Sequence, residues 1–244
     1  MAEVTKEPEN PIIVALDGME PADAVNMAEK LSPHVWGFKG NDLLDTRNGL
    51  AVMKSISDTG TGVFADTKYH DIPNTVMNRI GNLCGEFLPN LLTVHASGGI
   101  PMMQAAFSAS GWRIKVLAVT VLTSLGEEQC NLTFGAPVKA KVLRFARNAV
   151  LAEMDGIVCS AKELEFLAGF YELENQTDLI KVCPGIRPLW FQELGDQKRV
   201  MTPAEAIRLG ADYLVMGRPI LMADDPVGAA KRTMEEIQAA RAAG

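Results

Sequence analysis

Eight short apolar runs, separated by helix-like patterns, constrain the fold of this chain more than any other feature. They are PIIVALD (11–17), VWGFKG (35–40), GVFADTK (62–68), LLTVHAS (91–97), IKVLAVTVL (114–122), DGIVCSA (155–161), DLIKVC (178–183) and DYLVMG (212–217). Several are nearly continuous in apolar residues, as strands buried on both faces are. Between the runs, Val76, Ile80, Leu83 and Phe87 step by four, three and four. Val227, Ala230, Met234 and Ile237 step by three, four and three. Both are helix periods. Residues 139–154 also read as a helix with its basic residues outward. Strands alternating with helices build parallel βαβ units. Eight units in 244 residues predict an α/β protein with a (β/α)8 TIM barrel. A doubly wound open sheet is the alternative. It is weaker because the first strand runs into ALDGMEP, without the glycine fingerprint of such sheets.

No linker or low-complexity tract divides the chain, so residues 11–244 are expected to form one barrel domain. The polar, acidic start MAEVTKEPEN reads as a flexible tail over 1–10 and not as a secretory signal. The net charge of -7 argues against a nucleic-acid partner. No apolar run reaches the roughly 18 residues that span a bilayer. Cys84, Cys130, Cys159 and Cys183 form no CxxC pair and offer no zinc spacing. They are expected to be reduced, mostly buried thiols in a cytoplasmic protein.

Barrels of this kind carry their chemistry at the C-terminal ends of the strands. Here those ends collect Asp17, Lys39, Asp66, Lys68, His95, Thr123, Ser124, Ser160, Arg187, Gly217 and Arg218. Asp66 and Lys68 are two apart, so a regular strand points both the same way. Asp71 breaks that parity and is expected in the following loop, with Asn74 or Thr75 capping the next helix. Gly217 and Arg218 follow the eighth strand, a frequent phosphate site in these barrels. Arg187 and Gln197 lie on the long connection 184–203 and could close over the same anion. His95 reads as a core or supporting residue, His70 as one that orients its charged neighbours, and His34 as a surface residue. A metal held by Asp66, Asp71 and His70 is disfavoured by the lysine charge between them.

The motif DTKYHDIPNT (66–75) resembles that of the orotidine 5′-phosphate decarboxylase family. ALD, FK, TVHASGG (93–99), VTVLTS (119–124), PGIR (184–187), GDQKRVMTP (195–203) and GADYLVMGRPI (210–220) extend the resemblance along most of the chain. It implies a homodimeric barrel that converts orotidine 5′-phosphate to uridine 5′-phosphate and carbon dioxide, without a metal or organic cofactor. It further implies that Lys68 protonates C6 of the pyrimidine, that Asp66 faces the departing carboxylate, and that Asp71 comes from the second subunit. Lys39 would complete the charge array. Asp17 would bind ribose hydroxyls with Thr75 of the second subunit, and Thr123 and Ser124 would contact the pyrimidine. Arg187, Gln197, Gly217 and Arg218 would hold the phosphate. Gly40 departs from the pattern, which has an apolar residue such as valine there; a glycine in a strand loosens it or permits a bulge.

Three rival readings have distinct signatures. A magnesium-dependent sugar-phosphate decarboxylase or synthase would share the DxKxxD motif and lose activity in EDTA. A Schiff-base aldolase would need Lys68 neutral, which flanking carboxylates oppose. A non-catalytic nucleotide-binding barrel would bind uridine 5′-phosphate and release no carbon dioxide.

Overall fold

The computed structural model describes residues 2–169, 179–191 and 201–243. Its strands are β1 (Ile12–Ala15), β2 (Gly37–Gly40), β3 (Gly62–Tyr69), β4 (Leu91–His95), β5 (Lys115–Val119), β6 (Gly156–Val158), β7 (Ile180–Cys183) and β8 (Tyr213–Met216). Each pairs in parallel with its neighbours in chain order, and β8 closes on β1 through Ile12↔Leu214, Ile13↔Val215 and Val14↔Met216. The closed ring rules out the open-sheet alternative. The alternation of side chains along each strand divides the core in two. Ile13, Trp36, Phe64, Leu91, Leu117 and Tyr213 fill the barrel interior. Ile12, Val14, Phe38, Val63, Leu92 and Val116 pack outward against the helical layer.

The helix periods read from sequence match helices at Pro73–Glu86, Val138–Leu151 and Pro226–Ala242. Val76, Ile80 and Leu83 are buried, as the four-and-three spacing requires. The cap differs from expectation. Ile72, in extended conformation, is the N-cap of Pro73–Glu86, and Asn74 and Thr75 lie inside the first turn. Pro73 starts the helix early because its fixed φ suits the first position and its missing N–H needs no partner there. All four cysteines are buried and outside any disulfide.

Residues 2–10 form no helix or strand, yet they are tied across the N-terminal end of the barrel. Trp36 Nε1 donates to the Glu3 carbonyl at 3.0 Å, and Asn90 Nδ2 to the Ala2 carbonyl at 2.6 Å. The Thr5 N–H donates to the Tyr213 hydroxyl at 3.1 Å, and Arg241 donates to the Pro8 and Glu9 carbonyls. Ala2 and Val4 pack on the interior core beneath Trp36 and Tyr213, whose rings meet edge to face at 4.9 Å. A loose tail was the expectation. Composition could not reveal that the barrel floor offers unpaired Trp, Tyr and Asn groups for this backbone to satisfy.

Gly40 introduces no irregularity into β2, which pairs with β3 in continuous register from Gly37↔Gly62 to Gly40↔Ala65. Its missing side chain is replaced from outside. A Cβ there would lie 2.6 Å from the Met53 sulfur, and Met53 is fully buried. The bulge expected in β2 is in β3 instead.

Candidate active site

A cavity of about 590 Å³ opens at the C-terminal ends of the strands. Its floor and walls come from strand ends, as the closed parallel barrel requires. Asp17, Lys39, Asp66 and Lys68 line it from β1–β3. Val119, Val121, Leu122 and Thr123 follow from β5, and Val158 and Cys159 from β6. Pro184, Gly185, Arg187, Gly217 and Arg218 complete it after β7 and β8, with Leu221 and Met222 beside them.

The acidic and basic groups on the first three strands form a chain of alternating charge. Lys39 Nζ is 2.6 Å from Asp17 Oδ2 and 3.2 Å from Asp66 Oδ2. Lys68 Nζ donates to the same Asp66 oxygen. Thr93 Oγ1 donates to the other, Asp66 Oδ1, at 2.8 Å. Burial by itself would raise the Asp66 pKa, but the two lysines more than offset it and hold the carboxyl below the usual aspartate range. Burial likewise pulls Lys39 down, and Asp66 and Asp17 outweigh it, so its ammonium persists above the ordinary lysine range. On β4, His95 is pushed below the usual histidine value, first by burial and then by the charges of His70 and Lys68. The His70 and His95 rings meet edge to face at 5.8 Å.

The backbone route to this cluster is not that of a regular strand. The β3–β4 register runs Phe64↔Leu91 and Ala65↔Leu92, then jumps to Tyr69↔Val94. Lys68 has φ +45, a left-handed conformation that costs a non-glycine residue roughly 1–2 kcal/mol. Asp66 and Lys68 still converge, but through this bulge and not through simple alternation.

Across the ring, β7 lies four strands from β3. There Gly185, at φ +76, turns the chain after Pro184. A side chain at that φ would be strained, so glycine lets PGIR bend into the cavity wall. Arg187 is buried, its N–H donates to the Met201 carbonyl at 2.9 Å, and its guanidinium sits 5.7 Å from the Phe191 ring centre. Two arginines and two glycine backbones at one end of a cavity suit an anionic group such as a phosphate.

Asp17, Lys39, Asp66, Lys68, Thr123, Arg187, Gly217 and Arg218 are thus gathered around one cavity. Ser124 lies one residue beyond the lining and is exposed. Asp71 is in the β3–helix loop as expected, 3.4 Å from Arg79 of its own chain and outside the cavity lining; Thr75 is also outside it. Gln197 falls outside the described residues. Among the described residues no three His, Cys, Asp or Glu side chains converge as metal ligands. The sequence reading missed Thr93 and Asn41, whose side-chain amide donates to the Asp66 carbonyl at 2.6 Å. The available signal for Thr93 was a lone hydroxyl inside the apolar run LLTVH.

Comparison with known proteins decides the lineage. Residues 10–233 match the model of the orotidine 5′-phosphate decarboxylase / HUMPS family. The chain belongs to that family. The orotidine 5′-phosphate decarboxylase of Geobacter sulfurreducens is 44% identical over 236 residues, covering 93% of this chain and 96% of that protein. The Paramagnetospirillum magneticum orotidine 5′-phosphate decarboxylase is 43% identical over 239 residues, covering 93% and 98%. The crystal structure of the Lactobacillus acidophilus orotidine 5′-phosphate decarboxylase superposes with a TM-score of 0.75 at 32% identity, covering 93% of this chain and 99% of that one. An uncharacterized conserved protein from Geobacillus kaustophilus superposes with a TM-score of 0.77 at 30% identity, covering 93% and 100%.

Proposed function

We propose that this protein decarboxylates orotidine 5′-phosphate to uridine 5′-phosphate and carbon dioxide, a carboxy-lyase step of pyrimidine nucleotide synthesis. The observation that carries the reading is the Asp17–Lys39–Asp66–Lys68 charge chain, which lines one cavity together with Arg187 and Arg218. Relatives at 40–44% identity bear the decarboxylase name, and nothing favours the sugar-phosphate rival.

Each residue has a role that its chemistry supports. Arg187, Arg218 and the backbone at Gly217 hold the substrate phosphate, joined by Gln197. Asp17 and Lys39 bind the ribose hydroxyls, and Thr123 and Ser124 contact the pyrimidine. Heterolysis of the bond from C6 to its carboxylate leaves the electron pair on C6 and releases carbon dioxide. The Lys68 ammonium stabilises that developing charge and then transfers its proton to C6. Asp66, kept ionised by Lys39 and Lys68, faces the departing carboxylate. Phosphate binding remote from C6 orients the ring over Lys68. No cofactor takes part in this scheme.

The protein acts as a homodimer with shared sites in this reading, Asp71 and Thr75 entering the partner's cavity. Their position outside their own chain's cavity lining supports it. Residues 11–244 serve as one catalytic domain, and buried cysteines outside any disulfide suit the reducing cytoplasm. Among the described residues no helix is long and apolar enough to cross a membrane. The decisive experiment follows the loss of orotidine 5′-phosphate absorbance in EDTA. The wild-type protein turns over, and Lys68→Ala does not while still binding uridine 5′-phosphate. Absence of wild-type turnover across neutral pH would overturn the proposal.

A further inference from the structure

We infer that Thr93 is a positioning residue for the decarboxylation, its single hydroxyl setting both the Asp66 carboxylate and the bulged backbone that carries Lys68. The inference rests on the roles proposed for Asp66 and Lys68. Between the pairs Ala65↔Leu92 and Tyr69↔Val94, three residues of β3 face one residue of β4. The three are Asp66, Thr67 and Lys68, and the one is Thr93. Each of the three is hydrogen-bonded to it. Asp66 Oδ1 accepts from Thr93 Oγ1 at 2.8 Å, and the Lys68 N–H donates to the same Oγ1 at 2.9 Å. Thr67 Oγ1 donates to the Thr93 carbonyl at 2.8 Å.

The chemistry leaves the hydroxyl no choice of direction. An ionised carboxylate only accepts and a backbone N–H only donates, so the Thr93 proton points to Asp66 and a lone pair to Lys68. This divides the labour of Asp66: Oδ1 is anchored to the barrel wall, while Oδ2 receives both Lys39 and Lys68. Thr93 is fully buried, so water cannot replace the bonds if the hydroxyl is lost. Lys68 has φ +45, which its side chain disfavours, so its backbone depends on surrounding bonds to stay there. Thr93 itself does not line the cavity. Its loss should therefore misplace the proton donor without removing a ligand contact. Displacement of a reacting group by about 1 Å is enough to cost on the order of 100-fold.

The test compares Thr93→Val, which keeps shape and removes the hydroxyl, with Thr93→Ser, which keeps the hydroxyl. Expected for Thr93→Val is a kcat about 10- to 100-fold below wild type. Its uridine 5′-phosphate Kd should stay within about twofold, and Thr93→Ser should recover most of kcat. A Thr93→Val kcat equal to wild type, a parallel loss of kcat and product affinity, or a Thr93→Ser no faster than Thr93→Val would each overturn the inference. If Thr93→Val does not fold, Thr93→Cys replaces it, and equal kcat for the cysteine and serine variants overturns the inference. Lys68→Ala is run alongside. Turnover retained there would refute the assignment of the proton donor, a different failure from any of these.

Discussion

Lys39 and Asp66 meet at 3.2 Å from adjacent strands, each side chain only 9% exposed. The pair sits at the junction of the β1–β3 charge chain, and removing either member leaves the other buried without full compensation.

That relationship has a pH signature. Asp66 has a lowered pKa, so its contribution is present above the ordinary value of 3.8 and is lost as pH falls through the lowered one. Lys39 has a raised pKa, so its contribution is present below 10.5 and is lost as pH rises through the raised one. The pair therefore keeps its full effect through neutral pH. Lys39→Met should lose about 3 kcal/mol at neutral pH, and its acid unfolding should begin at higher pH than in the wild type. Urea titrations at several pH values check this; coincident curves for variant and wild type would refute it.

Gly40 and Met53 should behave as one packing unit. A Cβ on residue 40 meets the Met53 sulfur at 2.6 Å, and Met53 has no exposed surface into which to retreat. Gly40→Ala is expected to destabilise by about 1–3 kcal/mol through overpacking. In the Met53→Ala background the same change should cost much less, giving a clear coupling energy in a double-mutant cycle. Additive effects would show that the contact is unimportant.

The N-terminal segment should act as the floor of the barrel. Burial pushes the Tyr213 phenol up to about 12, even though its hydroxyl accepts the Thr5 N–H. Deleting residues 2–7 solvates that hydroxyl, so its ultraviolet titration should move toward the ordinary tyrosine value of about 10. Tm should fall as Trp36 and Tyr213 become wet. An unchanged titration would mean that the segment does not shield the floor.

Asp71 should act in trans. Lys68→Ala and Asp71→Ala are each expected to be inactive alone. Equal amounts, unfolded and refolded together, should regain about a quarter of wild-type activity, because half the dimers are mixed and each has one intact site. No recovery, in a mixture that sedimentation shows to be dimeric, would place Asp71 in its own chain's site.

Much of this architecture was legible in the order of residues. Runs such as GIVCSA and YLVMG are apolar on both faces, and only parallel strands covered by helices tolerate that. Asp17, Lys39, Asp66, Arg187 and Arg218, in or just after those runs, do line one cavity at the C-terminal ends of the strands. The parity of Asp66 and Lys68 led to the right meeting through the wrong backbone. Strand alternation assumes one residue against one, and β3 sets three against Thr93. Gly40 hinted at a bulge one strand too early, because sequence does not show that Met53 fills the space beside it.

By itself the sequence determined the barrel, the end at which its charged cavity opens, and the kinds of charge gathered there, since periodicity and strand polarity are local properties. Only the tertiary structure decided that Thr93 anchors Asp66 and Lys68, that Met53 complements Gly40, and that residues 2–10 seal the opposite end. Those outcomes depend on which distant groups close a ring of eight strands brings within hydrogen-bonding or van der Waals reach, and no local pattern encodes that.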